Sequence, residues 1–206
     1  MKRPVLLMAL ALAANAYAQD ANFDGDAVGA PPAGWTCGVT GQGTPQWAVT
    51  ADSGAPSPGH VLMQRGRGTF PWCVRTGSAL ADGFVEVKFK PVSGREDRAG
   101  GVVWRWKDGD TYYVARANAL ENNVSLYYTE RGARRTLKYV DAPVAAGRWH
   151  TLRVEFSGAR IRVSLDGKRY IEQDDTHIVG AWAVGVWTKA DSVTAFDDFT
   201  FGATPR

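Results

Sequence analysis

Gly101-Val-Val-Trp-Arg-Trp-Lys107, Asp108-Gly-Asp110 and Thr111-Tyr-Tyr-Val-Ala-Arg-Ala-Asn118 read as two strands folded back on each other across a turn. Side chains alternate across a strand, so Val102, Trp104 and Trp106 are expected on one face and Val103 and Arg105 on the other. In the returning strand Tyr113, Ala115 and Ala117 form an apolar set that reads as core. Tyr112, Val114, Arg116 and Asn118 form the opposite set. The Asp108-Gly109 pair suits a tight hairpin. The same grammar continues outward in both directions. Residues 83–91 alternate Phe84, Glu86 and Lys88 against Val85, Val87 and Phe89. Further strands are expected at 124–130, 135–140, 148–157, 161–165, 168–172, 181–187 and 196–201, with Arg131-Gly132 and Asp166-Gly167 as turns. No helical periodicity intervenes and no repeat of 20 to 50 residues is present. Short strands separated by Gly and Asp turns imply an all-β sandwich or barrel. Residues 19–58 are rich in Gly, Pro, Ala and Asp, and read as loops around one or two edge strands.

The chain begins with Lys2 and Arg3, an apolar run to Ala14, and Ala16-Tyr17-Ala18 before Gln19. This is the form of a signal peptide, residues 1–18, cut after Ala18 and followed by a single domain at 19–206. The run is too short to span a bilayer, and no other segment is long and apolar enough. A periplasmic or secreted location is expected. The signal removes two of the 24 basic residues and none of the 21 acidic ones, leaving a formal charge of +1. That balance argues against nucleic acid or an anionic membrane as partner. Cys37 and Cys73 are the two cysteines, and an even pair in an oxidising compartment is most simply a disulfide.

The run 99–127 is one of several ordered blocks. The others are Gly147-Arg-Trp-His-Thr-Leu-Arg-Val154, Val163-Ser-Leu-Asp-Gly-Lys168, Gly185-Val-Trp-Thr-Lys-Ala-Asp-Ser192 and Phe196-Asp-Asp-Phe-Thr-Phe201. Together, over about residues 83–201, they resemble a bacterial family of laminin-G-like, concanavalin A-like lectin/glucanase domains. The resemblance implies an all-β, two-sheet antiparallel β-sandwich, a jelly roll in which one sheet is curved. Related domains include one of 3-keto-disaccharide hydrolase type and others that bind sugars. Three functions follow as expectations: a carbohydrate-binding module, a sugar hydrolase or lyase, and a laminin-G-like protein-interaction domain. The resemblance also implies a structural Ca²⁺ near the paired first and last strands, with Asp24 and Asp198 as ligands. Hard oxygen donors suit that ion. No other cofactor is required.

Planar Arg and Asn groups bond pairs of sugar hydroxyls, and aromatic rings stack on sugar C–H faces. Arg105, Tyr112, Arg116 and Asn118 are therefore candidates for a carbohydrate-facing surface, with Glu121 and Asn123 at its rim. A solvated face held by an Arg116–Glu121 ion pair is the plain alternative. Retaining glucanases carry Glu-x-Asp-x-x-Glu on one strand so that two carboxyls face one cleft. No such run occurs, since Lys88 stands where an acid should follow Glu86. Glu121 and Glu130 are the remaining catalytic candidates. His150 reads as structural within its strand. Trp104, Trp106, Trp149 and Trp187 read as core, whereas Trp47 and Trp72 are candidates for the edge of a binding surface.

Overall fold

The computed structural model describes residues 18–203. Residues 1–17 of the expected signal peptide lie outside the described residues. Fifteen strands occur in the order β1 Gln19–Ala21, β2 Trp35–Thr44, β3 Trp47–Asp52, β4 Gly59–Gln64, β5 Arg67–Arg75, β6 Gly83–Ser93, β7 Ala99–Asp108 and β8 Thr111–Asn118. They continue with β9 Asn123–Glu130, β10 Ala133–Asp141, β11 His150–Ser157, β12 Arg160–Leu165, β13 Lys168–Asp174, β14 Ala183–Trp187 and β15 Val193–Gly202. Among the described residues no helix is long and apolar enough to cross a membrane.

Two antiparallel sheets form a sandwich. One runs β13-β12-β11-β6-β15-β4-β3, with β1 added to β15, and the other runs β10-β9-β8-β7-β14-β5-β2. The alternation expected for 83–91 and 111–118 is what joins them. Val85, Val87 and Phe89 of β6 meet Val102 and Trp104 of β7 and Tyr113, Ala115 and Ala117 of β8, with Leu152, Val154 and Phe156 of β11 completing the layer. Cys37 and Cys73 stand directly opposite each other on β2 and β5 and form a disulfide.

Arg131-Gly132 and Asp166-Gly167 both have positive φ, the backbone of a two-residue hairpin turn whose twist matches that of its strands. The hairpin between β7 and β8 differs. Asp108 pairs with Thr111, so Gly109 and Asp110 form the loop, and neither is left-handed. The Asp108 carboxylate accepts the Asp110 N–H at 2.9 Å and makes the turn instead.

Just before this turn β7 departs from simple alternation. Arg105 has φ +46°, and the register shifts against both β8 and β14 at this point. Such a bulge returns the next residue to the opposite face. Trp104 lies in the core and Trp106 outside it.

Candidate functional site

The outer face of the second sheet carries its own aromatic cluster. Trp72 and Val74 come from β5, Val103 from β7, Tyr112 and Val114 from β8, Tyr127 from β9 and Trp187 from β14, with Phe70 and Trp106 at the margin. These rings are buried because the sheet curls and both of its edges reach over them. From β2, Thr40 Oγ1 donates to the Gly109 carbonyl and so accepts from the Tyr112 hydroxyl at 2.7 Å. Burial pushes the Tyr112 phenol up despite that bond. From β10, Arg134 lays its guanidinium 4.2 Å from the centre of the Tyr127 ring, 4.6 Å from Phe70 and 5.7 Å from Trp187. Gly38 on β2 makes the fit possible, since a Cβ there would lie 2.6 Å from the Trp72 ring.

What stays open is a groove of about 630 Å³, bordered by Gln42 to Thr44 of β2 and by Arg67, Phe70, Glu96, Arg134 and Lys189. Gly43, at φ +120°, lets β2 bulge into this rim. Beneath it lies a network of charges. Asp97 is fully buried. Its Oδ2 receives Arg116 Nη1 at 3.1 Å and Lys189 Nζ at 2.7 Å. Arg116 Nη2 also donates to Glu121 Oε2 at 2.6 Å. Asn123 Nδ2 donates to Glu121 at 2.8 Å and to the Tyr139 hydroxyl at 2.6 Å, while Asn123 Oδ1 accepts from Ser125 at 2.9 Å. Burial pushes the Glu121 carboxyl up, but the Asn123 bond and the Arg116 charge outweigh it and hold the group below its ordinary value.

The loop presenting Glu96 and Asp97 is fixed from β14–β15. Asp191 accepts the backbone N–H groups of Arg95, Glu96 and Asp97 at 2.8, 3.0 and 3.0 Å. Ser192 Oγ accepts the Ala99 N–H at 3.1 Å. Within this well-tied frame Asp97 Oδ1 and Arg134 Nη1 are buried without a protein partner, and a buried polar group costs free energy unless it is bonded.

Of the residues expected on this face, Tyr112, Arg116, Asn118, Glu121 and Asn123 are brought together on β8, β9 and the loop between them. Tyr112 is sealed inside the aromatic cluster, and Asn118 Oδ1 caps the loop by accepting the Leu120 N–H at 2.9 Å. Arg116 is only 2% exposed and faces the network, with its charge already engaged. Arg105 does not share the surface. The bulge turns it to the core side, where its guanidinium donates to the carbonyls of Ile178 at 2.8 Å, Ala81 at 3.1 Å and Gly158 at 2.9 Å. Glu130 ends β9 in an exposed position next to the Arg131-Gly132 turn.

Trp72 is buried within the outer cluster and does not border the groove, and Trp47 packs in the core against Phe196. Trp106 and Trp187, read from alternation as core, belong to the outer cluster. His150 is held in its strand by Asp166 at 2.7 Å and the Ala145 carbonyl at 3.0 Å. Arg134, Phe70, Lys189 and Asp97 were not singled out from sequence. Residues 133–141 show no alternation that would single out Arg134, and Gly68 and Pro71 disguise the strand holding Phe70.

The residues expected to hold Ca²⁺ do not fit that role. Asp24 Oδ1 accepts the His60 N–H at 2.8 Å, and Asp198 Oδ2 pairs with the Lys88 ammonium at 2.7 Å. Lys88 thus brings its own positive charge to the carboxylate. Among the described residues no group of three His, Cys, Asp or Glu side chains is placed to hold a metal.

Solved structures share this architecture. The carbohydrate binding module CBM66 from Bacillus subtilis superposes with a TM-score of 0.69 at 22% identity, over 82% of this chain and 96% of that one. A cellulose-induced protein gives 0.65 at 13% identity, over 90% and 97%. The β-glucanase of Bacillus licheniformis gives 0.57 at 14% identity, over 92% and 98%. The chain therefore has the concanavalin A-like jelly-roll fold. No family model and no curated protein matches the sequence.

Proposed function

We propose that the chain is an exported carbohydrate-binding module whose groove, between the β2 rim and Arg134, takes a saccharide. The observation that carries this is Arg134, which borders the groove beside the Phe70 ring with its Nη1 buried and without a protein partner. A sugar hydroxyl both donates and accepts, and the pyranose C–H face suits an aromatic wall. Arg116, Glu121 and Asn123 form the framework of the site, and Lys189 and Glu96 its rim. Support also comes from the fold neighbours, among them a carbohydrate binding module. Export agrees with the form of the first eighteen residues.

The hydrolase reading draws less from the site. A general acid needs a carboxyl that holds its proton near neutral pH, whereas Glu121 is ion-paired and its pKa is lowered.

A glycan array probed with the mature chain tests the proposal, followed by calorimetric titration of any hit. Binding is expected, and Arg134→Ala should weaken it by about tenfold, the loss of the unpartnered donor at the groove. A folded protein that retains no glycan would refute the carbohydrate reading. Cleavage after Ala18 is checked by the intact mass of the protein recovered from the medium or periplasm.

A further inference from the structure

We infer that the ligand of this groove is a saccharide carrying a carboxylate, of the uronic acid class, and that Arg134 is the residue that receives the carboxylate. The inference rests on the groove being the carbohydrate site and adds the charge of its occupant.

Four cations and three carboxylates meet here. Arg67 is paired with Glu96. Arg116 is divided between Asp97 and Glu121, and Lys189 is on Asp97. All three carboxylates are thereby engaged, and among the described residues no ion pair includes Arg134. Its guanidinium is instead packed against the rings of Tyr127 and Phe70, at 4.2 and 4.6 Å, and its Nη1 is buried without an acceptor. The aromatic faces offset part of the cost of that position. They leave the in-plane N–H groups unanswered.

A guanidinium presents its donors in one plane, in the spacing of the two oxygens of a carboxylate. A neutral hydroxyl supplies one acceptor and leaves the charge uncompensated. Worse, a neutral ligand seated over Arg134 excludes water from it and raises its desolvation cost further. A carboxylated ligand removes both penalties together. Burial already pulls the Arg134 guanidinium below its ordinary value. Arg67, Arg134 and Lys189 border the groove against Glu96 alone, and that surplus of positive charge favours the approach of an anionic ligand.

The probes are oligogalacturonate and oligomannuronate, the same oligomers after reduction of their carboxyl groups, and a sulfated oligosaccharide, each titrated into the mature chain. At least one uronate oligomer is expected to bind about tenfold or more tighter than its reduced form, with an affinity that falls as salt is raised. Arg134→Gln should abolish the difference, and Arg134→Lys, which keeps the charge but not the planar fork, should retain part of it. Thermal melts show whether each variant is folded. The wild-type comparison of acid with reduced oligomer decides the matter even if neither variant folds.

Equal binding of acid and reduced oligomers, or array hits confined to neutral sugars, overturns the carboxylate and leaves the carbohydrate reading intact. Tighter binding of the sulfated probe than of any uronate overturns it as well. Persistence of the acid preference in folded Arg134→Gln removes Arg134 from the role. Failure of every glycan, acidic or neutral, overturns both readings.

Discussion

Arg105 and Arg116 lie on adjacent strands of one sheet, yet each is buried for a different purpose. Arg105 ties together three carbonyls from separate loops at one end of the sandwich. Arg116 and Lys189 together neutralise Asp97, which has no exposure of its own. Removing one partner from a buried ion cluster leaves the remaining charges undercompensated. Arg116→Ala is accordingly expected to lower the stability by about 3 kcal/mol, as read from urea unfolding, and not merely to weaken ligand binding. A second prediction concerns Asp198. Because the Lys88 ammonium occupies its carboxylate, addition of a calcium chelator should leave the melting temperature unchanged, and a fall in a calorimetric scan would show that an ion contributes after all.

At the scale of single elements, the loop from β6 to β7 depends on Asp191. Burial pushes this carboxyl up, but the N–H groups of Arg95, Asp97 and Glu96 bonded to it prevail and hold it below its ordinary value of 3.8. A group whose value is depressed by folding stabilises the native state fully above its unfolded value and loses that contribution as pH falls through the folded one. Asp191→Asn should therefore cost about 1 to 3 kcal/mol near neutral pH, and the gap from wild type should narrow below pH 3.8, seen by denaturant unfolding across that range. The elements themselves were legible to different degrees. β6, β11 and β12 announce themselves by alternation, because each has one face in the core and the other toward solvent. β4 does not, since Val61 and Met63 pack with Ala55 and Ala195 while Leu62 lies in the main core. Burial on both sides erases the period of two. β5 contains Gly68 and Pro71, which read as loop signals. The site was half legible for a related reason. Strict alternation places Tyr112, Arg116 and Asn118 on one face, but no local rule foresees a left-handed Arg105. The curl that brings Arg134 of β10 over Phe70 of β5 is a property of the whole sheet.

Across the whole molecule, the disulfide closes a separation of 36 residues between two strands already in register. In the chain-entropy view its reduction should lower the stability by about 4 kcal/mol, measurable as a shift in denaturant midpoint between oxidised and reduced protein.

The covering of the aromatic cluster by β2 and β10 has one more consequence, for how copies of the protein behave toward each other. An open sheet margin is a template on which a foreign strand can dock. Here β3 is shielded because Val49 exchanges backbone hydrogen bonds with Gly29 and Ala30. Two further margins carry charge: β13 displays Lys168, Arg169, Glu172 and Asp174, and β10 displays Arg135 and Lys138, charges that a second strand would have to desolvate. Concentrated solutions should accordingly stay monodisperse and slow to form fibrils, even though so many bulky rings lie outside the central core.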